Sequence, residues 1–264
     1  MTLRADNVSF SYRKNSPLVL EQVSMQIQPG KVVGIFGPNG SGKSTLANCL
    51  AGILRPTNGM VCINECSLCT IPSMQLARRI ALASQEVPAC LPFSVEQILR
   101  LGYYPHRGFW QNRIPGEYEK NAQCVELTGL QHLLTRQFNE LSGGEKRRVM
   151  FARAIIQAEQ FLLLDEPAAY LDPQHQLELF EVIRTLAASG VGVLITSHDL
   201  FVAPLFLDIA ILMHNGGIIA SGPPEQALSA ENINTAFKRS ISITWNHPCK
   251  VIVDLNASLS NKSL

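Results

Sequence analysis

The chain has 264 residues, of which 46% are hydrophobic and 16% are charged, a composition typical of a globular protein rather than a disordered one. Its 22 Lys and Arg residues nearly balance its 21 Asp and Glu residues, and the formal net charge of +1 argues against a nucleic-acid partner. Asp208 interrupts the longest apolar run, which falls well short of the roughly 18 residues that span a bilayer. Seven scattered cysteines favour reduced cytosolic thiols over a disulfide framework.

Short β-branched runs alternate with longer helical segments along the chain, and this alternation predicts an α/β fold. Strands are expected over 31–36, 160–164 and 191–196. The apolar spacing after Lys43 predicts a helix that Pro56 ends. Four apolar residues would share one face of this helix: Leu46, Leu50, Ile53 and Leu54.

A different pattern follows residue 88. Helical segments over 95–101 and 118–127 flank a loop, 102–116, that is rich in Pro, Gly and aromatic residues. Together with a helix expected at 145–157, this part is interpreted as a helical subdomain inserted over about 88–157.

No internal repeat or long linker divides the chain. Residues 1–240 are therefore expected to form a single domain, followed by a C-terminal extension over 241–264. The last nine residues, 256–264, are rich in Ser and Asn, and we expect them to be frayed.

One segment has the pattern of a phosphate-binding loop, G-x-x-x-x-G-K-[ST], between a predicted strand and a predicted helix. It reads Gly37-Pro38-Asn39-Gly40-Ser41-Gly42-Lys43-Ser44. Its glycines let successive backbone N–H groups curl around phosphates without Cβ clashes, and the helix adds its positive N-terminal dipole. The Lys43 ammonium would lie between the β- and γ-phosphates, and the Ser44 hydroxyl would ligate Mg²⁺. The loop therefore predicts a nucleotide site.

Two carboxylates follow an apolar run in Leu162-Leu163-Leu164-Asp165-Glu166. Asp165, at the carboxyl end of the predicted strand, would hold the Mg²⁺ shell. Glu166 projects differently and would orient and deprotonate the attacking water. An acidic turn after an ordinary strand remains the alternative for this segment taken alone.

A second glycine-rich segment, Leu141-Ser142-Gly143-Gly144-Glu145, opens the helix expected at 145–157 and makes another anion-binding N-terminus. One nucleotide does not need two such sites from one chain, but two copies facing each other would use both. With this segment the sequence closely resembles the ATP-binding cassette (ABC) ATPases over roughly residues 1–240. The resemblance implies a P-loop NTPase core with a RecA-like mixed sheet and flanking helices. It also implies an N-terminal antiparallel β subdomain and a helical signature subdomain.

The resemblance assigns roles to further residues. Tyr12 falls where the family stacks an aromatic ring on adenine, and Gln85 falls at the Q-loop, which contacts Mg²⁺ and links to the membrane partner. Asp172, in Tyr170-Leu171-Asp172, falls at the D-loop, and His198 at the switch histidine near the γ-phosphate. The expected catalytic residues are Glu166, His198, Lys43 and Gln85. The expected nucleotide contacts are Tyr12, Gly37 to Thr45, Ser142 to Glu145 and Asp172. The expected Mg²⁺ ligands are Ser44, Gln85 and Asp165.

The resemblance also implies a function, namely ATP hydrolysis in a homodimer that serves a separate membrane permease. Local motifs, such as 101–106 with its Leu-Gly-Tyr-Tyr-Pro-His sequence, resemble importers of iron–siderophore complexes, haem and cobalamin. A substrate-binding protein would deliver the ligand, and the chain would lie on the cytoplasmic face of the membrane. Zinc or manganese importers and a soluble ABC ATPase without a transport role are the alternatives, and the chain itself does not specify the substrate.

Two other patterns allow alternative interpretations. The spacing Cys62-x3-Cys66-x2-Cys69 matches that of an iron–sulfur ligand set, but 59–64 also resembles a small strand in which Cys62 and Cys66 fill apolar space. The aromatic residues Tyr103, Tyr104, Phe109 and Trp110 lie in the inserted segment. We interpret them as a docking surface for the permease rather than as a base-stacking surface.

Overall fold

The computed structural model describes residues 1–14, 16–107, 117–169, 171–200, 202–237, 242–246 and 250–254. The strands up to β6 are β1 (Leu3–Phe10), β2 (Leu20–Ile27), β3 (Val32–Phe36), β4 (Asn58–Ile63), β5 (Cys66–Ser67) and β6 (Ile80–Ala83). The later strands are β7 (Phe161–Asp165), β8 (Gly192–Ser197), β9 (Ile209–His214), β10 (Gly217–Gly222), β11 (Ser242–Asn246) and β12 (Lys250–Asp254). The α-helices are α1 (Lys43–Leu50), α2 (Ser73–Arg79), α3 (Val95–Leu101), α4 (Glu117–Leu127), α5 (Gly143–Gln157), α6 (Pro173–Ala188), α7 (Pro224–Ala227) and α8 (Ala230–Phe237).

A six-stranded sheet, in the order β10-β9-β3-β8-β7-β6, forms the centre of the fold. The pairings from β9 to β6 are parallel, and the edge strand β10 pairs antiparallel with β9. Strands β3, β7 and β8 are buried along their whole length, as expected for parallel strands covered on both faces. Because side chains alternate along a strand, Val32 and Phe36 pack into one hydrophobic cluster, whereas Val33 and Ile35 pack into another.

An antiparallel sheet, in the order β2-β1-β4-β5, covers one side of this centre together with α1. Strand β2 alternates between buried and exposed residues over most of its length, which is typical of a sheet with one wet face. Helices α3 and α5 pack against each other, and α4 also packs on α5, so the middle of the chain forms a helical unit. These features confirm the predicted fold class.

The predicted strand positions are each within one residue of the observed bounds of β3, β7 and β8. The prediction that the helix after Lys43 extends past Leu50 is wrong. Gly52, two residues beyond α1, has a φ of +73°, a left-handed conformation that ends helices. Ile53 is consequently 63% exposed rather than on a buried helical face, and Leu54 is half-buried.

Strands β11 and β12 pair in an antiparallel hairpin within the predicted C-terminal extension, where the sequence predicted no element. The fraying expected over 256–264 lies outside the described residues. In the part of the chain that the structure describes, no helix has the length and apolar character needed to cross a membrane.

Candidate functional site

The predicted phosphate loop connects the end of β3 to the start of α1 and is fitted closely against neighbouring backbone. Gly37 has a φ of +148°, and a Cβ at this position would lie 2.2 Å from the carbonyl oxygen of Met213 in β9. A Cβ on Gly42, where φ is +101°, would lie 2.9 Å from the carbonyl oxygen of Val19. Gly40 instead faces open space. Gly37 and Gly42 therefore allow the loop to pack closely against the backbone at Met213 and Val19, while the side of the loop at Gly40 stays accessible.

Lys43, the first residue of α1, folds back over the loop. Its Nζ donates hydrogen bonds to the carbonyl oxygens of Gly37, at 2.9 Å, and Pro38, at 3.1 Å. Burial lowers the pKa of Lys43, while the carboxylates of Glu166 and Asp165 raise it in part. The buried Ser41 Oγ has no hydrogen-bond partner among the described residues, and a phosphate oxygen would provide one. The loop thus offers an ammonium group, a hydroxyl and the N-terminus of α1 to an anion.

The expected catalytic residues converge at one edge of the central sheet. Lys43 follows β3, Gln85 follows β6, Glu166 follows β7 and His198 follows β8. These four strands are neighbours and parallel, so their carboxyl ends share an edge, where open α/β sheets bind ligands. The Glu166 carboxylate is within 2.9 Å of His198 Nδ1 and accepts a longer hydrogen bond of 3.5 Å from Gln85 Nε2.

The two adjacent carboxylates have different surroundings. Asp165 is buried, and its Oδ1 accepts hydrogen bonds from Ser44 Oγ, at 3.0 Å, and from Thr196 Oγ1. Glu166 turns away because its backbone is left-handed, with a φ of +52°, and its side chain reaches His198 instead. The chain therefore separates the oxygen atoms of Ser44 and Asp165 from the Glu166 carboxylate, which contacts His198. Hydroxyl, amide and carboxylate oxygens fit a hard cation such as Mg²⁺.

Sequence reasoning did not identify Thr196. This residue, in β8, pairs directly with Asp165 of β7, and its side chain is fully buried. The signal available in the sequence was its position two residues before His198, on a strand predicted to be buried. Only the parallel pairing of β7 and β8 shows that the hydroxyl reaches both carboxylate-bearing residues.

Tyr12 and Thr45 lie beside the loop. The Tyr12 hydroxyl is 3.1 Å from Thr45 Oγ1, and its ring packs edge-on against Phe10. Tyr12 is nevertheless 63% exposed, so a ring surface remains open next to the start of α1. This arrangement suits the stacking of a flat base.

The predicted signature segment forms the start of α5. Ser142 is the N-cap, since its Oγ accepts a hydrogen bond from Glu145 N at 3.3 Å, while Glu145 Oε2 accepts one from Ser142 N at 2.7 Å. These hydrogen bonds hold the pKa of Glu145 below its usual value. Added Cβ atoms on Gly143 and Gly144 would meet nothing within 4 Å. The N-terminus of a 15-residue helix is thus accessible to a ligand.

The structure does not bring this segment to the phosphate loop of the same chain. Within the described ranges, no hydrogen bond or ion pair joins 142–145 to 37–45. Asp172 is also engaged elsewhere, because it caps α6 by accepting hydrogen bonds from the backbone N and Nδ1 of His175. These bonds lower the pKa of Asp172. Its predicted neighbour at the D-loop, Tyr170, lies outside the described residues.

The structure distinguishes between the interpretations of the cysteine and aromatic patterns. Cys62 is buried in β4, where burial raises the pKa of its thiol. The prediction that Cys66 also fills apolar space is wrong, because Cys66 is exposed. Among the described residues, no group of three or more His, Cys, Asp or Glu side chains is placed to hold a metal ion. The prediction that Tyr103 belongs to a docking surface is wrong, because its side chain is buried in the core, whereas Tyr104 is 65% exposed. Phe109 and Trp110 lie outside the described residues.

A phosphate loop after one parallel strand and paired carboxylates after another define the P-loop nucleotide hydrolases. Comparison with known proteins specifies the family, because the model described as "ABC transporter" matches residues 20–169, more than half of the chain. The chain therefore belongs to the ABC transporter family.

Relatives and solved structures agree with this assignment. The hemin import ATP-binding protein HmuV of Agrobacterium fabrum is 38% identical over 243 residues, covering 89% of this chain and 90% of that protein. HmuV of Bordetella pertussis is 36% identical over 246 residues, covering 90% and 92%. A nucleotide-free ATP-binding cassette of an ABC transporter superposes with a TM-score of 0.76 at 29% identity, covering 90% of this chain and 97% of that one.

Proposed function

We propose that the chain is the ATP-hydrolysing subunit of an importer for a metal chelate, and that haem is the first chelate to test. The support is the name shared by relatives that match over nearly their whole length, hemin import ATP-binding protein. Iron–siderophore complexes and cobalamin belong to the same chemical class of cargo. The chain would work on the cytoplasmic face of the membrane, bound to a separate permease.

The observation that carries the proposed ATPase mechanism is the contact between Glu166 and His198 beside the phosphate loop. Glu166 would accept the proton of a water molecule as the water oxygen bonds to the γ-phosphorus, and the bond from that phosphorus to the bridging oxygen of ADP would break. Lys43 would bind the phosphates, and His198 would hold Glu166 and stabilise the charge on the γ-phosphate. Gln85 would orient the same carboxylate and the water.

Ser44, Asp165 and Gln85 would hold Mg²⁺. When bound, the ion would neutralise charge on the β- and γ-phosphates. The residues themselves prepare this site, because Ser44 Oγ and Asp165 Oδ1 are already 3.0 Å apart.

Two copies of the chain would be needed for a complete nucleotide site. The exposed N-terminus of α5, with Ser142 to Glu145, makes no hydrogen bond or ion pair with the loop of its own chain among the described residues. It would bind the phosphates held by Gly37 to Thr45 of a second copy. Asp172 would lie at this interface. The segment from Gln85 to 116 would contact the permease, and a substrate-binding protein would deliver the chelate to that permease.

The first experiment replaces Glu166 with glutamine, which keeps the shape of the side chain but removes the base. The Glu166→Gln protein should bind ATP, lose hydrolysis by about 100-fold or more and accumulate as an ATP-loaded dimer on size-exclusion chromatography. Turnover equal to that of the unsubstituted protein would remove Glu166 as the base.

The second experiment tests whether the signature segment acts on the other copy. Ser142→Arg should abolish dimerisation and hydrolysis while ATP still binds to the loop. The matched control is Ser94→Arg, which removes the same kind of capping box from α3. Both variants are assayed without the permease, because Ser94 lies in the segment proposed to contact it. Undiminished ATPase activity in Ser142→Arg, or equal loss in both variants, would contradict the proposal.

The cargo is tested with the permease reconstituted in proteoliposomes. Haem delivered by its binding protein should stimulate ATP hydrolysis and be taken up. Stimulation by Zn²⁺ or Mn²⁺ but not by haem, iron–siderophore complexes or cobalamin would make the chain part of a metal-ion importer instead.

A further inference from the structure

We propose that Thr196 is a positioning residue that holds both adjacent carboxylates, Asp165 and Glu166, in place for hydrolysis. This role deepens the proposed function and rests on it, since Asp165 and Glu166 act there as metal ligand and base. Thr196 is fully buried and lies behind these residues, so it would act through them rather than on the nucleotide.

The Thr196 hydroxyl makes two hydrogen bonds, one as a donor and one as an acceptor. It donates to Asp165 Oδ1, and it accepts from the backbone N–H of Glu166 at 3.0 Å. The same N–H also lies 3.2 Å from the Thr196 carbonyl oxygen. One residue of β8 thus contacts the side chain of Asp165 and the backbone of Glu166, which follow each other at the end of β7.

The contact to Asp165 fixes the oxygen that also faces Ser44. Asp165 Oδ1 accepts from both Thr196 Oγ1 and Ser44 Oγ, and these two hydroxyls come from different elements, β8 and α1. Without the Thr196 hydroxyl, the buried carboxylate would keep a single hydroxyl donor on this oxygen among the described residues, and its orientation toward Ser44 would be less constrained. The proposed Mg²⁺ site would then bind its ion more weakly.

The contact to Glu166 stabilises an unfavourable backbone conformation. Glu166 has a φ of +52°, which residues other than glycine rarely adopt and which directs its side chain toward His198 and Gln85. The hydrogen bonds that the Glu166 N–H makes to Thr196 favour this conformation over the alternatives. The Thr196 hydroxyl is therefore one of two oxygen atoms of the same buried residue that hold the backbone of the proposed base.

The test uses three variants of the full-length chain, assayed with its permease. Thr196→Val keeps the shape and removes the hydroxyl, whereas Thr196→Ser keeps the hydroxyl and removes the methyl group. The control is Thr128→Val, because Thr128 is also buried but its hydroxyl donates to the carbonyl oxygen of Cys124 in α4, its single side-chain hydrogen bond among the described residues. Circular dichroism and thermal melting are recorded for all three.

Thr196→Val should lower kcat by about 10- to 100-fold, the effect of losing hydrogen bonds that orient charged groups, with the KM for ATP changed by less than about 3-fold. The Mg²⁺ concentration that half-saturates binding of a fluorescent ATP analogue should rise, a readout that does not depend on turnover. Thr196→Ser should stay within about 3-fold of the unsubstituted protein, as should Thr128→Val.

Three results would overturn the proposal: unchanged kcat and Mg²⁺ dependence in a folded Thr196→Val protein, an equal loss in Thr196→Ser, or an equal loss in Thr128→Val. If Thr196→Val does not fold, the comparison between Thr196→Ser and the unsubstituted protein still decides, because a loss there assigns the role to packing of the methyl group. Failure of the underlying function is distinguishable, since the unsubstituted protein itself would then show no ATPase activity with its permease.

Discussion

Replacing Gly37 with alanine tests how closely the phosphate loop is fitted against β9. A Cβ on Gly37 would lie 2.2 Å from the Met213 carbonyl oxygen and 2.8 Å from Ser41 Oγ. Because Met213 is part of a buried strand, its carbonyl cannot rotate away as a side chain would. Either the loop or the end of β9 must move.

The size of the effect follows from two contributions. The positive φ of +148° costs a residue with a side chain about 1–3 kcal/mol, and the overlap with β9 adds about 1–3 kcal/mol. Gly40→Ala is the matched control, since Gly40 also has a positive φ, +81°, but no atom within 4 Å of its added Cβ. Only a backbone cost of about 1–2 kcal/mol applies there. The lower entropy of the unfolded alanine chain offsets both variants equally, so Gly37→Ala should be less stable than Gly40→Ala by about the cost of the overlap with β9, about 1–3 kcal/mol.

Urea denaturation followed by circular dichroism measures both free energies of unfolding, with equal m-values as the check on comparability. ATP affinity should also fall in Gly37→Ala, because the Gly37 carbonyl oxygen accepts a hydrogen bond from Lys43 and would be displaced. Equal loss of stability in the two variants would refute the reasoning that the contact with Met213, rather than the backbone alone, requires glycine.

Three further predictions concern other parts of the structure. Tyr12→Ala should weaken ATP binding by about 10-fold through loss of base stacking, whereas Tyr12→Phe should bind within about 2-fold, and equal affinity in all three proteins would exclude stacking. Cys66 should react with iodoacetamide in the native protein, whereas Cys49, which is buried and whose pKa burial raises to about 12, should react only after unfolding, as peptide mass spectrometry can check. Burial alone would raise the pKa of Asp208, but hydrogen bonds from Val32 N, Lys31 and Arg184 outweigh it and lower that pKa. Asp208→Asn should therefore cost about 1–2 kcal/mol of stability at neutral pH, and the difference should vanish as the pH falls through the lowered pKa, so a pH-independent difference would contradict this assignment.

The sequence alone was sufficient for the features that depend on neighbouring residues. Three features consist of consecutive residues: the phosphate loop, the acidic pair Asp165 and Glu166, and the signature segment at Ser142. Their chemistry can therefore be predicted without knowledge of the tertiary structure. Strands β3, β7 and β8 were predicted to within one residue because parallel strands buried on both faces are continuous apolar runs. The left-handed Gly52 that ends α1 was missed, because apolar spacing does not report a backbone dihedral angle.

Tertiary structure alone decided how residues distant in the chain come together. Asp165 and Thr196 are 31 positions apart, and the parallel register of β7 and β8 makes them direct partners. The same pairing brings His198 into contact with Glu166. The Asp172 carboxylate, by contrast, caps α6 and bonds to His175, outside the phosphate site. Spacing along the chain contains no information on strand register, since register depends on the summed packing of both sheet faces. The sequence thus determined which chemical groups the protein has, and the pairing of its strands determined which of them act on one another.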